Sequence, residues 1–365
     1  MSNEWKYALF NECLEKVKKT TKLSSLHYKK EGIYPVVSQE KELISAYWNK
    51  KEDLFTHKTP VIVFGDHTKV VKYIDFNFVV GADGVKILLP KSFLLPKFFY
   101  YWVCSLKIPS LGYARHYRLL QEYTIHYPPL SEQVCIVEKL DNAFVKINAL
   151  KKNAEQSLQQ VNNLFQSILK EKLLPKKNWI SCQLQDICSF FNGKPHEQDV
   201  DADGEYILVN SKFISSNKMI TKRTSLQLFP LYKNDIVMVM SDVPNGKALA
   251  KCLIIDEDGR YTLNQRICVF RNSKINSQFL YYLINRNPYF LSFDNGENQT
   301  NLRKNDIISM PISYPSDPNE ITQIIESLND LIEKEKLLVN SYKKIVLECE
   351  ALKQSLLKKA FSGEL

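Results

Sequence analysis

Gln166-Ser167-Ile168-Leu169-Lys170 returns, 188 residues later, as Gln354-Ser355-Leu356-Leu357-Lys358. Reading back toward the N-terminus, the same offset pairs Leu150 with Leu338, Lys146 with Lys334, Leu140 with Leu328, Glu138 with Glu326 and Ile136 with Ile324. An offset that holds over such a run marks an element that tolerates no insertion. Further upstream it drifts. Leu120-Gln121-Glu122-Tyr123-Thr124-Ile125 matches Leu302-Arg303-Lys304-Asn305-Asp306-Ile307 at 182, and Phe98-Phe99-Tyr100-Tyr101 matches Phe279-Leu280-Tyr281-Tyr282 at 181. Near the start, Trp5-Lys6-Tyr7-Ala8-Leu9-Phe10-Asn11-Glu12-Cys13 is answered by Trp179-Ile180-Ser181-Cys182-Gln183-Leu184-Gln185-Asp186-Ile187-Cys188, with one extra residue. Loop insertions produce such drift. Two copies of about 180 residues are too long and too few for a solenoid, so the order is lobe, helix, lobe, helix.

The constant-offset element reads as a long helix. From Ile136 its apolar positions are Leu140, Ala143, Ile147, Leu150, Ala154, Leu158, Val161, Leu164 and Ile168. The second copy gives Ile324, Leu328, Leu331, Leu338, Tyr342, Ile345, Cys349, Leu352 and Leu356, with Glu335 interrupting where the first has Ile147. Steps alternating between three and four are the spacing that winds two helices together. Pro128-Pro129 ahead of Ser131, and Pro315-Ser316-Asp317-Pro318 ahead of the second run, supply starts at which Ser131 or Asp317 is free to cap. Pro175 supplies a stop. About 40 helical residues would span roughly 60 Å. Two stripes in one register, separated by a whole lobe, are expected to pack on each other as an antiparallel coiled coil. Such a pair would place the lobes at opposite ends, about a pseudo-twofold axis.

The lobes, 1–128 and 176–313, read as mixed α/β with more strand than helix. Together with the helical segments 129–175 and 314–365 they make an α+β chain. In the first lobe, 61–64, 70–74, 78–80 and 85–89 are β-rich runs punctuated by Gly65-Asp66, Gly81 and Asp83-Gly84. In the second, 206–209, 236–240, 249–255 and 266–270 alternate with the turns Pro244-Asn245-Gly246 and Asp258-Gly259. A short aromatic helix follows each set, at 97–103 and 277–285. The layout is shared and the sequence is not, as expected of two modules with one scaffold and different ligands.

Composition narrows the function. At 44% hydrophobic and 24% charged, the 365 residues belong to an ordinary globular chain, which excludes a disordered tail or a fibre. The formal net charge of +9 favours an anionic partner. By segment it is +7 for 1–128, +1 for 129–175, +3 for 176–313 and −2 for 314–365, so the surplus sits on the lobes. Only 11 glycines count against glycine-rich cofactor loops. The eight cysteines are scattered, without C-x-x-C or close Cys/His pairs, and are expected to be reduced and mostly packed in interiors. Met1-Ser2-Asn3-Glu4-Trp5-Lys6 does not read as a signal peptide, and no apolar run could span a bilayer. A cytoplasmic protein without a membrane partner is expected.

No catalytic constellation emerges. Asn192-Gly193-Lys194-Pro195 lacks the loop length and hydroxyl of a phosphate-binding loop, and no G-x-G-x-x-G follows a strand. Asn287-Pro288-Tyr289-Phe290 lacks the second proline of the Asn-Pro-Pro-Tyr/Phe motif of DNA amino-methyltransferases and reads as a helix stop after Arg286. Asp199, Asp201, Asp203 and Glu205 lack the glutamate at the twelfth position of an EF-hand and read as a solvated loop. No metal ligands are assigned.

What remains is recognition. Gly112-Tyr113-Ala114-Arg115-His116-Tyr117-Arg118 interleaves cations with aromatics, and Gly296-Glu297-Asn298-Gln299-Thr300-Asn301-Leu302-Arg303 is amide-rich at the matching place in the second lobe. Arginine can bond guanine bidentately, and asparagine or glutamine can bond adenine likewise. Candidate DNA contacts are therefore Arg115, His116 and Arg118 in one lobe and Asn298, Gln299, Asn301 and Arg303 in the other. Lys69, Lys72, Arg223 and Lys247, near expected turns, are candidates for phosphates.

With these features together, the chain resembles the specificity subunit of type I restriction–modification enzymes over essentially its whole length. The carriers are Pro128-Pro129-Leu130-Ser131-Glu132-Gln133 opening the central helix and Leu356-Leu357-Lys358-Lys359-Ala360-Phe361-Ser362-Gly363-Glu364-Leu365 at the other end of the sequence. The Trp5 and Trp179 segments and 296–302 are similar to the family too. The resemblance implies that 1–128 and 176–313 are target recognition domains, each reading one half of a bipartite asymmetric site in double-stranded DNA. It implies that the helices form a spacer and dock two modification subunits, which carry S-adenosylmethionine and methylate adenine. It further implies that ATP and magnesium belong to the motor subunit of complexes that cleave, and that this chain is expected to bind no cofactor itself. The second helix departs from the pattern, opening with Pro315-Ser316-Asp317-Pro318-Asn319-Glu320. Two other readings stand beside this one: a coiled-coil scaffold with two lobes that do not bind DNA, and a methyltransferase with degenerate motifs.

Overall fold

Each lobe is closed by its own two ends. Lys6–Leu9 pairs antiparallel with Thr124–Tyr127, Ala8 opposite Ile125, and Trp179–Gln183 pairs with Pro311–Pro315, Cys182 opposite Ile312. A computed structural model describes residues 5–18, 20–82, 84–112, 114–196 and 198–365. Met1 to Glu4, Asp83 of the Asp83-Gly84 turn and Tyr113 of the aromatic–basic stretch lie outside the described residues.

Inside each closure, two small sheets share a topology with their counterparts in the other lobe. In the first lobe Val61–Gly65 is flanked antiparallel by Val71–Ile74 and Val85–Leu88. In the second, Ile236–Val239 is flanked antiparallel by Cys252–Ile254 and Ile267–Arg271. Both central strands are buried along their whole length, which suits their β-branched runs. The other sheet repeats as well. Tyr34–Val37 runs parallel to Phe78–Gly81, and Tyr206–Val209 runs parallel to Tyr261–Leu263. The aromatic helices Pro96–Ser105 and Ser277–Ile284 bury Phe98, Phe99 and Trp102, and Phe279, Leu280 and Leu283.

The chain divides into two compact units, 1–158 with 340–365, and 159–339. The helices Leu130–Lys172 and Pro318–Phe361 contribute to both. In the first unit Ile136, Val137 and Leu140 share a core with Leu357, Ala360, Phe98 and Trp102, and Lys151 pairs with Glu350. In the second unit Ile321 and Ile325 share a core with Phe279 and Leu280, Leu173 packing against it, and Lys176 pairs with Glu320 at 2.8 Å. Within each unit, then, the start of one helix lies beside the end of the other, and the pair is antiparallel.

Two local expectations are corrected. Ser131 is the second residue of its helix and does not cap it; the Pro129 carbonyl accepts the N–H groups of Glu132 and Gln133 at 3.0 Å. Asp317 does cap, accepting the Asn319 N–H at 2.9 Å. The regular stripe also fails in places, since Leu150, Leu164, Leu338 and Leu352 are exposed. A helix of 3.6 residues per turn drifts off a seam of period 3.5. Beside Leu150 the half-buried position is taken by Lys151, bonded to Glu350.

Candidate nucleic-acid interface

In both lobes the central strand ends in a polar turn that holds a second loop beside it. In the first, Asp66 follows the strand and is 1% exposed, too buried to meet a ligand. Its Oδ1 accepts the Tyr117 N–H at 2.7 Å, and its carbonyl accepts the His116 N–H at 2.8 Å. Gly65 is required there, because a Cβ would lie 2.2 Å from Thr68 Oγ1. Lys69 takes φ 59° on this turn and leans toward the Ile108 carbonyl at 3.4 Å. Arg115 is exposed on the adjoining loop, and Arg118 is exposed on the short helix Tyr117–Leu120 that follows it.

In the second lobe Ser241–Asp242 pairs with Thr300–Asn301. Asp242 shapes the loop that follows: Oδ1 accepts the Val243 N–H at 2.9 Å, and Oδ2 accepts those of Ala248 and Leu249 at 2.6 and 3.1 Å. Asp294 ties this loop to the amide-rich one. Its Oδ2 accepts the Asn245 N–H at 3.2 Å, and its Oδ1 accepts the Gly296 N–H at 2.9 Å and the Thr300 hydroxyl at 3.1 Å. Lys247, Asn298, Gln299, Asn301 and Arg303 are all exposed, the first four on these joined loops and Arg303 just beyond.

Three candidates do other work. Lys72 is 5% exposed and donates to the carbonyls of Ser38 (2.9 Å) and Glu42, and burial lowers its pKa from the usual lysine value. His116 is buried, bonded through Nδ1 to the Asp66 carbonyl at 2.9 Å while Nε2 accepts the Leu111 N–H at 3.0 Å. Arg223 folds back on the Gly204 carbonyl at 3.0 Å. The first two are corrections: a buried donor that satisfies backbone carbonyls cannot also neutralise a phosphate in solvent. The NPYF segment is likewise structural, since Asn287 caps Pro288–Leu291 by accepting the Tyr289 N–H at 2.9 Å.

Cysteine chemistry finds no poised thiol in the cores. Burial pushes the Cys13 and Cys188 thiols up to about 12, and Cys252 and Cys268 are buried too. Cys135 is exposed and all eight are free. Among the described residues no cluster of His, Cys, Asp and Glu could hold a metal, and no helix is long and apolar enough to cross a membrane.

Residues 3–160 and 176–346 each match the profile of the family described as type I restriction modification DNA specificity domain. The chain belongs to that family. It is accordingly a DNA-recognition subunit, and the two specificity domains fall on the two copies read from the sequence. Eleven solved chains match its fold. One, from work on complex assembly and conformational transition of the type I R-M system, has a TM-score of 0.77 at 14% identity, covering 99% of this chain and 98% of that one. The HsdS subunit from Thermoanaerobacter tengcongensis has a TM-score of 0.53 at 15% identity, covering 99% and 97%. No curated protein matches the chain by sequence.

The second specificity domain also holds a cleft that sequence reading missed. It measures about 400 Å³, and its lining includes Leu208, Asn210, Lys212, Lys222, Asn264 and Arg266. The signal was nearly visible. Lys222 precedes Arg223, and successive residues of an extended segment face opposite ways; Lys222 lines the cleft while Arg223 turns to the Gly204 carbonyl.

Proposed function

We propose that each lobe reads one half of a bipartite asymmetric site in double-stranded DNA, and that the two long helices act as spacer and as docking surface for two adenine-methyltransferase subunits. One observation carries this reading: the lobes share a topology and the same paired-loop device, yet load it with different chemistry. Arginines are presented in the first and amides in the second, as two half-sites of different sequence require. In this reading the chain has no catalytic site of its own. S-adenosylmethionine is bound by the modification subunits, and ATP and magnesium by a motor subunit where one accompanies them. Mapping methylated adenines in cells that express the chain with its modification subunit tests the proposal. A single motif of two fixed halves separated by an unspecified gap supports it, and an uninterrupted motif or no motif overturns it.

A further inference from the structure

We propose that the cleft bounded by Lys212, Lys222 and Arg266 seats the phosphodiester backbone of the bound duplex, beside the loops that present Asn298 and Gln299. The inference rests on the DNA-binding reading and adds a contact surface to it.

The charge inventory of the second lobe singles this cleft out. Several cations there are already engaged. Arg271 grips Asp235, Lys218 pairs with Asp256, Arg260 pairs with Glu257, Lys251 donates to the Ser215 carbonyl, and Arg286 donates to the Lys247 carbonyl. Lys212, Lys222 and Arg266 are exposed, make no ion pair among the described residues, and converge on one concave surface whose described lining contains no carboxylate. Three like charges held together without a counter-ion repel one another, and a polyanion relieves that repulsion.

The frame beneath them is fixed. Asn210 Oδ1 accepts the Phe213 N–H at 2.9 Å, Asn264 Oδ1 accepts the Arg266 N–H at 3.3 Å, and the Lys222 carbonyl accepts the Leu208 N–H at 2.9 Å. Gly193 packs so closely that a Cβ would lie 2.1 Å from the Asn264 carbonyl oxygen. Both amide oxygens are engaged by backbone, so the charged groups that the cleft presents are the three cations, and Lys and Arg side chains are common phosphate ligands. It is also continuous with the candidate reading loops. The Arg266 carbonyl accepts the Met240 N–H at 3.1 Å, and the Met240 carbonyl accepts the Leu302 N–H at 2.8 Å, one residue from Asn301.

The test is duplex binding by the full chain across a salt series, read by fluorescence anisotropy, for wild type and the triple variant Lys212→Gln/Lys222→Gln/Arg266→Gln. Each lost phosphate contact removes about 0.9 from the slope of log K against log salt, so the triple variant is expected to lose between about 2 and 3 in slope. Its affinity should drop equally on all duplex sequences. A charge-retaining Lys212→Arg/Lys222→Arg/Arg266→Lys variant should keep the wild-type slope, and each single glutamine variant should lose about 0.9. An unchanged slope in the glutamine variants, or a loss confined to one duplex sequence, overturns the cleft assignment while leaving the DNA reading standing. Failure of the wild type to bind any duplex overturns both.

Discussion

Glu320 Oε1 accepts the indole N–H of Trp179 at 3.3 Å. Glu132 Oε1 accepts that of Trp5 at 3.1 Å, so the first copy makes the same bond. In each lobe a tryptophan at the first residue of the first strand (Trp179) or just ahead of it (Trp5) is thereby tied to the first turn of the helix that follows the lobe, where a carboxylate also meets the positive end of the helix dipole. The departure of Pro315-Ser316-Asp317-Pro318-Asn319-Glu320 from the first copy's motif therefore preserves the contact. What changes is the next position: Gln133 is buried, accepts the Leu95 N–H and donates to the Phe93 and Pro128 carbonyls, whereas Ile321 packs in the core.

The second copy makes that bond sensitive to acid. Hydrogen bonds from Lys176 and then Trp179 hold the Glu320 carboxyl below its ordinary 4.5. A carboxylate with a depressed folded pKa stabilises the fold above its unfolded value and loses that contribution as pH falls through the folded one. Thermal melts of wild type and Glu320→Gln between about pH 3 and 7 should converge at the acid end, the wild type losing its advantage below pH 4.5 or so. Curves that stay parallel down to the lowest pH would sink the assignment.

A buried ion pair in the second lobe sets a larger effect. Asp235, 3% exposed, accepts from Arg271 Nε at 2.9 Å and Nη2 at 2.7 Å, and the guanidinium stacks 4.6 Å from the Tyr232 ring. Removing one partner of such a pair strands the other, at a cost of roughly 3 to 5 kcal/mol. Asp235→Ala should fall at the low end, about 3 kcal/mol, because Arg271 keeps some solvent contact. Urea unfolding would show it, and a loss below about 1 kcal/mol would place the pair among ordinary surface bridges.

What the sequence made legible follows from what it repeats. A constant offset of 188 delimits both long helices, because no loop interrupts them. Strand positions in the lobes were legible from β-branched runs, but the shared topology was not. The parallel pairings of Val36 with Val79 and of Ile207 with Tyr261 join residues with no common spelling. Side-chain availability was the hardest to read. Lys72 and Lys222 are both lysines near turns, and the difference is that the Ser38 and Glu42 carbonyls, distant in sequence, fold over the first. Only long-range packing decides which cations remain free for DNA.

Specificity should be separable by lobe. Arg115→Ala removes an exposed guanidinium from the first lobe's loop, and Gln299→Ala removes an amide from the second's. Losing one bidentate base contact costs about 1 to 3 kcal/mol of discrimination. Methylation mapping should therefore show each variant relaxed in one half-site, a different half for each, with the other half intact. An unchanged motif in both variants would remove these residues from the reading surface.

The spacer role makes a geometric prediction that stability effects cannot mimic. Both Leu130–Lys172 and Pro318–Phe361 run through the two compact units, so shortening them together changes their common length while leaving each lobe's closure untouched. Deleting about one turn from each, at facing positions, removes roughly 5 Å, which at about 3.4 Å per base pair is one to two base pairs. The variant complex should methylate a motif with the same two halves and a gap shortened by that amount. If the gap stayed at its original length in an active complex, the helices would not set the spacing. A change in the sequence of either half would instead assign the helices a part in base reading.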